Sequence, residues 1–346
     1  MKIAAYIREQ PAILAQLPGL VAPRLAEIGA LQRKPERLVL LGTGSSMNAL
    51  LAAGPALEEA TGAALSFKEP EAFLRYPPRA DGGPALVLAV SQSGRSTTTV
   101  EAVRQAVGLG LPTVAVIGDP GSPMEQTGAE IVMMPIGEEK AGPKTKGYTG
   151  SVLTLLAIAG QLGGSTLELA GLEGDINTAV TQSEAAARAL VQKLGVPDYI
   201  QVIGQFGHVG SAIEGALKIA EITGIPTSGL DIEEALHGHA YGTNAGSLLM
   251  VIARDAREAA VAANLAEGLT PLGPRVVIVN LSEEKTDFDL AITFPKTKNG
   301  WVDTTWALFP FQWMALHLSD AKGIADPGMI YPTLGKKLNV KIRDKA

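Results

Sequence analysis

Short apolar runs alternate with helical stretches along most of the chain. The runs 38–41, 86–90 and 114–117 contain four or five apolar residues with no polar residue between them. Uninterrupted runs of this length are typical of strands buried on both faces, as in a parallel sheet covered by helices. Stretches with helical spacing, such as 97–108 and 255–267, lie between such runs. The pattern therefore predicts an α/β protein built on parallel sheets.

The same pattern occurs twice, at a constant offset of 162 residues. Residues 38–62 and 200–224 each contain an apolar run, a Gly-rich turn and a helical pattern that ends in Gly. The identical pairs are Gly42/Gly204, Glu59/Glu221, Thr61/Thr223 and Gly62/Gly224. At the same offset, the runs 86–90 and 114–117 correspond to 248–252 and 276–279. Three strand-like segments in register predict two doubly wound parallel-sheet domains in tandem, related by internal duplication.

A length of 346 residues fits about two domains. We expect an N-terminal helical segment over 1–29, a first domain over 30–165, a second over 185–330 and a tail over 331–346. A helical stretch rich in Ala and Glu, 184–192, is the expected linker.

Composition excludes several classes of protein. The formal net charge is −6 and no Lys- or Arg-rich block is present, so a nucleic-acid partner is not expected. The chain has no Cys, which excludes disulfides, zinc ribbons, iron–sulfur sites and a thiol nucleophile. The longest apolar stretch, 152–162, is too short to cross a bilayer, and no secretory signal is visible. We expect a cytoplasmic protein with no membrane contact and no cofactor.

A dense set of hydroxyl side chains follows the apolar run 86–90. The sequence there is Ser91-Gln92-Ser93-Gly94-Arg95-Ser96, followed by three threonines and a helical pattern. Ligands of open parallel sheets bind at the carboxyl ends of the strands, where helix N-termini add about half a positive charge. An ordinary capped helix start would explain a single serine. The clustering of hydroxyls favours a phosphate site.

A second turn, Gly42 to Ser46, follows the run 38–41 in the same way. A Gly-x-Gly alone is weak evidence for a dinucleotide site, and Asn48 stands where such a site has its third glycine. The serines favour a contact with phosphate or sugar instead. The second half has Ala253-Arg254-Asp255-Ala256-Arg257 at the place of the serine-rich segment, so we expect one phosphate pocket per chain.

Several motifs spread over nearly the whole chain carry a family resemblance. They are Glu9-Gln10-Pro11, Gly44-Ser45-Ser46, Ser91-Gln92-Ser93-Gly94 with Ser96, Glu139, Thr145-Lys146-Gly147-Tyr148-Thr149, Glu214-Gly215-Ala216-Leu217-Lys218 with Glu221, His237-Gly238, and Leu334-Gly335-Lys336. In these motifs the chain resembles the double sugar-isomerase (SIS) domain family, in particular the isomerase half of glucosamine-6-phosphate synthase and its stand-alone relatives.

The resemblance implies a role for each motif. The implied substrate-binding residues are Gly44, Ser45, Ser46, Ser91, Gln92, Ser93, Gly94, Ser96, Glu139 and Lys144. Glu221 would be the base that moves a proton between C1 and C2 of a phosphorylated sugar. His237 would open the sugar ring from the neighbouring subunit, so that the active unit is a homodimer. Lys336 would approach the carbonyl carbon, as a Schiff-base amine or as a local positive charge.

Taken without the resemblance, several of these residues have simpler interpretations. Most helical glutamates face solvent, and adjacent lysines on a tail, as at Lys336, are usually solvated. His208 and His317 are expected to be structural. His237 and His239 have no visible cluster of further ligands, so we predict no metal site.

The chain also departs from the family pattern. His239 follows His237-Gly238 where the family usually has Pro, Arg95 stands where Glu is common, and Lys144 stands where the family has Ser. The spacing from Gly323 to Lys336 is two residues longer than in the synthase. The glutaminase half of the synthase is missing, and without any Cys its thioester route to ammonia is excluded.

These features predict a phosphosugar isomerase/deaminase that acts on a hexosamine 6-phosphate. Cleavage of a fructosamine 6-phosphate (a deglycase) and plain aldose–ketose isomerisation remain open, because all three reactions share one proton transfer between adjacent carbons. A non-catalytic phosphosugar-binding regulator is the alternative from another class. The first 35 residues carry no helix-turn-helix reader of the kind such regulators usually have.

Overall fold

The described strands form two five-stranded parallel sheets in this computed structural model. The structure describes residues 2–78, 84–165, 172–282, 291–294, 301–328, 330–331, 333–338 and 340–342. The first sheet contains β1 (Arg37–Leu41), β2 (Ala64–Lys68), β3 (Ala85–Val90), β4 (Thr113–Ile117) and β5 (Glu130–Met133). The second contains β6 (Tyr199–Gly204), β7 (Thr227–Asp231), β8 (Ser247–Ala253), β9 (Arg275–Asn280) and β10 (Ala291–Thr293).

The two sheets have the same strand order. The first runs β2-β1-β3-β4-β5, and the second runs β10-β9-β8-β6-β7, which is the same arrangement read from the opposite edge. Each of the six apolar runs identified in the sequence lies in one of the inner strands β1, β3, β4, β6, β8 and β9. The prediction of an α/β fold with two doubly wound parallel sheets is therefore confirmed.

The helices connect and cover these strands. They are α1 (Lys2–Glu27), α2 (Ser45–Thr61), α3 (Pro70–Arg75), α4 (Thr97–Gly108), α5 (Lys146–Gly163), α6 (Leu172–Leu194), α7 (Gly207–Thr223), α8 (Ile232–Leu236), α9 (Ala256–Leu269), α10 (Asp303–Trp306), α11 (Phe309–Ala321) and α12 (Leu334–Lys337). The predicted helix 97–108 coincides with α4, the stretch 255–267 lies at α9, and the expected linker 184–192 lies inside α6.

The chain divides into two compact units. The first unit comprises Ala12–Lys140, Lys146–Leu169 and Tyr331–Ala346, and it contains the first sheet. The second unit comprises Met1–Pro11, Ala141–Thr145 and Ala170–Ile330, and it contains the second sheet. The start of α1 therefore belongs to the second unit and the rest of α1 to the first. The tail from residue 331 belongs to the first unit, although it follows the second sheet along the chain.

Burial follows position in the sheet. The central strands β3 and β8 are buried along their whole length, whereas the edge strands β2 and β7 are mostly half-buried. Helices pack on each sheet: in the first unit, Val100 and Val103 of α4 pack on Val87 of β3 in one apolar cluster. In the second unit, Leu265 of α9 and Val251 of β8 share the corresponding cluster. Both cores thus lie between a buried parallel sheet and its helices.

The helices α2 and α7 end in the same way. Each is followed by a glycine in the left-handed region, Gly62 at φ +70° and Gly224 at φ +67°. The N–H of each glycine donates to a carbonyl four residues back, at 2.7 Å and 2.9 Å. These are the glycine-terminated helix ends that the repeated sequence pattern predicts. Among the described residues, no helix has the length and apolar character that crossing a membrane would require.

Candidate functional site

The serine-rich segment Ser91–Ser96 forms a loop at the carboxyl end of β3, which we call the serine loop. The main-chain carbonyl of Gln92 accepts hydrogen bonds from the N–H groups of Gly118 (2.7 Å) and Asp119 (3.2 Å), which follow β4. The Gln92 side-chain amide donates to the Asp119 carboxylate at 3.0 Å. The start of the loop is therefore tied to the end of the neighbouring strand.

Gly94 makes the turn of the serine loop possible. Its φ is +60°, a conformation that favours glycine, and a Cβ added there would lie 2.1 Å from the Ser122 hydroxyl oxygen. Its N–H donates to the Ser91 carbonyl at 2.8 Å, and its carbonyl accepts from the Met124 N–H at 3.2 Å. A larger residue at position 94 would force the loop away from Ser122.

The serine loop ends at the N-terminus of α4. Ser96 is the residue before the helix, but its hydroxyl makes no capping bond to the helix backbone and instead accepts from the Thr99 hydroxyl at 2.9 Å. The Ser93 hydroxyl accepts from the Arg95 N–H at 3.4 Å. Hydroxyls beside the positive end of a 12-residue helix are suited to binding an anion.

The turn Gly42–Ser46 lies at the same edge of the first sheet. Strands β1 and β3 pair in parallel, with Leu41 opposite Ala89, so the loops that follow them start side by side. Gly44 precedes α2 with φ +57°, and Ser45 and Ser46 are half-buried in its first turn. The structure thus brings the predicted residues Gly44, Ser45 and Ser46 to the edge that carries the serine loop.

A surface pocket of about 690 Å³ opens beside this edge, at the carboxyl ends of β4 and β5. Asp119, Met133 and Glu139 are among its lining residues. Glu139 is 4% exposed, and its carboxylate accepts from the Gly147 N–H at 2.9 Å, at the start of α5. In this structure Glu139 therefore stabilises a helix start. The predicted residue Lys144 belongs to the second unit.

Glu221 lies in the second unit, on a helix face with two other charged residues. Lys218 is fully buried, and its ammonium contacts the carboxylates of both Glu221 and Glu214, the latter at 3.3 Å. Glu214 is completely buried, whereas the Glu221 side chain is 36% exposed. Burial alone would lower the pKa of Lys218, but the two carboxylates outweigh it and raise that pKa above its usual value. We call these three residues the α7 triad.

The α7 triad gives Glu221 a fixed place. Its carboxylate contacts the buried ammonium of Lys218, while part of the Glu221 side chain remains accessible to solvent. A carboxylate with this combination of support and access is suited to accept a proton from a bound molecule.

The histidine predicted to open the sugar ring lies on an exposed segment. His237 directly follows α8, its side chain is 79% exposed, and its Nε2 lies 3.5 Å from the Glu233 carboxylate one turn earlier. Tyr241, four residues on, is 77% exposed. Neither Glu221 nor His237 belongs to the unit that carries the serine loop.

Lys336 lies on the short helix α12, in the first unit. Its side chain is outside the described part of the structure. A few residues later, the main chain of Val340–Ile342 pairs with the serine loop, and Lys341 forms an antiparallel bridge with Ser96.

Known proteins resemble this chain in sequence and in fold. Residues 31–159 match the family model of the SIS domain. The glutamine–fructose-6-phosphate aminotransferase [isomerizing] of Aeropyrum pernix is 30% identical over 336 residues, which cover 92% of this chain and 54% of that protein. The chain contains a SIS domain. This SIS-domain protein spans about half the length of the curated relatives that it matches.

Solved structures share the fold. The C-terminal domain of glucosamine-fructose-6-phosphate aminotransferase from Francisella tularensis has a TM-score of 0.78 at 17% identity, over 93% of this chain and 96% of that one. Glucosamine-6-phosphate deaminase from Thermotoga maritima has a TM-score of 0.78 at 19% identity, over 95% and 97%. At these identities the comparison shows a shared fold.

In this SIS-domain protein, the second sheet has a different chemistry at the equivalent edge. The Asp255 carboxylate accepts from the Glu258 N–H at 2.9 Å, and the Glu258 carboxylate accepts from the Arg254 N–H at 2.8 Å. Glu258 is 3% exposed, and this burial raises the pKa of its carboxyl, partly offset by the Arg254 N–H and by His208. Two carboxylates therefore occupy the start of α9.

His208, at the position equivalent to Ser46, is also enclosed. It is 1% exposed, and its Nε2 lies 3.4 Å from Asp303 Oδ1. This place suits the structural role expected for His208 in the sequence.

The sequence interpretation assigned no separate role to three of the residues described above. Glu214 and Lys218 belong to a sequence motif, and their spacing is the signal that places them on one helix face with Glu221, because Lys218 lies four residues after Glu214 and three before Glu221. Asp119, which holds Gln92, follows β4 at the predicted ligand edge, but a single aspartate after a strand gives no signal by itself.

Proposed function

We propose that this chain is a phosphosugar isomerase that deaminates a hexosamine 6-phosphate to a ketose 6-phosphate and ammonia. The observation that carries the proposal is the serine loop, held by hydrogen bonds at the carboxyl edge of the parallel sheet of a SIS domain. The accessible carboxylate of Glu221 supports it, because isomerisation requires a base.

The serine loop would bind the sugar phosphate. In this proposal the hydroxyls of Ser91, Ser93 and Ser96 and the α4 N-terminus supply hydrogen bonds and positive potential. The neighbouring turn supplies Ser46, and Gln92 is oriented by its bond to Asp119. Binding through hydroxyls and main-chain donors needs no lysine at the phosphate.

Glu221 would move the proton. Starting from the open-chain aminosugar, it removes the proton from C2; the electrons of that bond form the C1=C2 double bond of an enolamine, and the C1 carbonyl oxygen takes up a proton from solvent. Glu221 then returns its proton to C1, and the nitrogen at C2 releases a proton to solvent, which leaves an imine at C2. Water then adds to the imine, and ammonia departs as the C2 ketone forms. Carbon 1 is reduced and carbon 2 is oxidised, so no external oxidant is needed.

The remaining residues take the roles that the family resemblance implies. His237 would assist ring opening from a neighbouring subunit of a homodimer, and its exposed side chain supports a role outside its own unit. Lys336 would stabilise charge at the carbonyl carbon or bind it as an amine. Glu139 and Lys144 would line the sugar.

The test is to incubate the full chain with a panel of hexosamine 6-phosphates and fructosamine 6-phosphates. Ammonia, free amine and ketose are measured separately. We expect ammonia and a ketose 6-phosphate in equal amounts from a hexosamine 6-phosphate. Unphosphorylated sugars serve as the matched control and should not react, since they have nothing for the serine loop to bind.

Other outcomes would contradict the proposal in defined ways. A free amine with an aldose 6-phosphate would identify the deglycase reaction, and a ketose without ammonia would identify plain isomerisation. Tight binding of phosphosugars without any turnover would identify a phosphosugar-binding regulator.

A further inference from the structure

The serine loop pairs with main chain that lies far from it in the sequence, at residues 340–342. The Ile342 N–H donates to the Arg95 carbonyl at 2.8 Å, and the Thr97 N–H donates to the Val340 carbonyl at 3.3 Å. Ser96 and Lys341 thereby form an antiparallel bridge. About 245 residues separate the two strands of this bridge, so the contact is a product of the tertiary fold.

The bridge sets the direction of the Ser96 backbone. In an antiparallel pair whose flanking residues exchange the hydrogen bonds, the central residue points its own N–H away from its partner strand. Arg95 and Thr97 are the flanking residues here, so the Ser96 N–H points to the side opposite the tail. The Ser96 carbonyl accepts from the Val100 N–H at 2.9 Å, inside α4.

The tail is also anchored by packing. Ile342 is partly buried against the apolar cluster that contains Val100 and Val103 of α4 and Val87 of β3. The Thr97 N–H, one of the helix-start donors that have no partner inside the helix, is satisfied by the tail. The tail therefore contacts both the backbone of the loop and the helix that follows it.

Three contacts thus hold the serine loop. The end of β4 holds Gln92, the segment after Ser122 holds Gly94, and the tail holds Arg95 and Thr97. The tail thus supplies the hydrogen bonds on both sides of Ser96.

We propose that residues 340–342 are a positioning element for anion binding by the serine loop. Their main chain holds Ser96 in the orientation in which its N–H and hydroxyl can reach a phosphate, and their side chains are not required to touch the ligand. This inference rests on the proposed phosphosugar function and extends it to a segment outside the predicted site.

The experiment removes one tail hydrogen bond at a time. Thr97→Pro deletes the N–H that donates to Val340, and proline is well tolerated at the first position of a helix. Ser96 already has the extended backbone that a following proline requires, with φ −62° and ψ +116°. Thr97→Ala, which keeps the N–H, is the matched control. Ile342→Pro removes the second donor, with Ile342→Val as its control.

Affinity for glucosamine 6-phosphate and for inorganic phosphate is measured by calorimetry, and folding by thermal unfolding. We expect a fivefold to tenfold loss of affinity in Thr97→Pro and in Ile342→Pro, with both controls close to the original protein. If one proline variant does not fold, the other carries the test. Lys341→Ala should leave the affinity unchanged, because only the main chain of Lys341 takes part.

Each contrary result has a distinct meaning. Unchanged affinity in a folded proline variant would overturn the positioning role and leave the proposed function intact. A loss in Lys341→Ala equal to that in Thr97→Pro would replace positioning with a direct charge effect. Failure of the unmodified protein to bind any phosphosugar would overturn the proposed function itself.

Discussion

The two sheets share one topology, but their carboxyl edges differ in chemistry. In the first unit, the loop after β3 offers serine hydroxyls, and the residue before α4 makes no capping bond to the helix. In the second unit, Asp255 and Glu258 accept hydrogen bonds at the start of α9. A phosphate would meet donors at the first edge and carboxylates at the second. Two sheets of equal topology therefore need not bind the same ligand, because the side chains at the helix start decide whether the site favours an anion or a cation.

The helices α2 and α7 show the reverse difference. The buried charged residues Glu214 and Lys218 of α7 correspond, at the offset of 162 residues, to Ala52 and Ala56 of α2. Glu221 corresponds to Glu59, so both helices have a glutamate; in α7 the buried ammonium of Lys218 contacts it, whereas α2 has Ala56 at the position of that lysine. The serine hydroxyls at a helix start thus belong to one repeat, and the carboxylate beside a buried lysine belongs to the other.

The largest expected effect tests this division between the two glutamates. Glu221→Gln should lower kcat about 10²- to 10⁴-fold while leaving phosphosugar affinity nearly unchanged, because an amide keeps the shape but cannot accept the proton. Glu59→Gln is the matched control on α2 and should leave kcat unaltered. Turnover by Glu221→Gln at the original rate would show that the base has been assigned to the wrong residue.

The buried charges of α7 should dominate stability. Lys218→Met leaves the Glu214 carboxylate buried without its ammonium, and we expect a loss of about 3–5 kcal/mol in the free energy of unfolding. The double variant Glu214→Gln/Lys218→Met removes both charges and should be more stable than Lys218→Met alone. Chemical denaturation of the three proteins measures both differences. Equal stability of the single and double variants would mean that Glu214 is not the charge that Lys218 compensates.

The serine loop should control affinity for the phosphate group. Ser93→Ala combined with Ser96→Ala is expected to weaken binding of a phosphosugar about 10- to 100-fold, since several hydrogen bonds to a charged group are lost. Thr98→Ala, on the following helix turn, is the control. Titration calorimetry gives the affinities. If the double variant binds as tightly as Thr98→Ala, the phosphate lies elsewhere.

The smallest expected effect concerns pH at the second edge. Because burial raises the pKa of Glu258 in the folded protein, its stabilising contribution is full below the ordinary pKa of 4.5 and declines as pH rises through the pKa of the folded state. Glu258→Gln retains an oxygen that can accept from the Arg254 N–H but cannot ionise. Relative to the original protein, this variant should therefore gain stability, by less than about 1 kcal/mol, between pH 4 and pH 7.

Thermal or denaturant unfolding at several pH values checks this expectation. A difference between the two proteins that stays constant with pH would show that Glu258 does not titrate in this range. Asp255→Asn is a useful companion, because it removes the neighbouring charge and keeps an oxygen that can accept from the Glu258 N–H.

The inner strands could be predicted from sequence because they are buried on both faces. Continuous apolar runs at β1, β3, β4, β8 and β9 indicate a covered parallel sheet, and β6 is interrupted only by Gln201. The edge strands β2 and β7 are half-buried and carry mixed residues, so their pattern is weaker. Helix α4 was predictable to the residue because a run of Ser and Thr precedes an amphipathic pattern.

The candidate site could be predicted only in part. The hydroxyls of the serine loop and the turn at Gly44 are local signals, and the structure places them at one sheet edge. The pairing of Val340–Ile342 with that loop is a long-range main-chain contact, which leaves no signature in side-chain identity. The roles assigned to Glu221, His237 and Lys336 depend on the family resemblance and remain predictions.

The spacing of the α7 triad has a consequence for how the protein folds. Glu214, Lys218 and Glu221 lie one turn apart on a single helix, so they can meet as soon as that helix forms. Lys218 can therefore be paired with Glu214 and Glu221 before it is buried by the packing of α11 against α7. The α7 triad therefore has a net charge of −1 when the helix packs into the core, and Glu221 is the member of the triad that remains partly exposed to solvent.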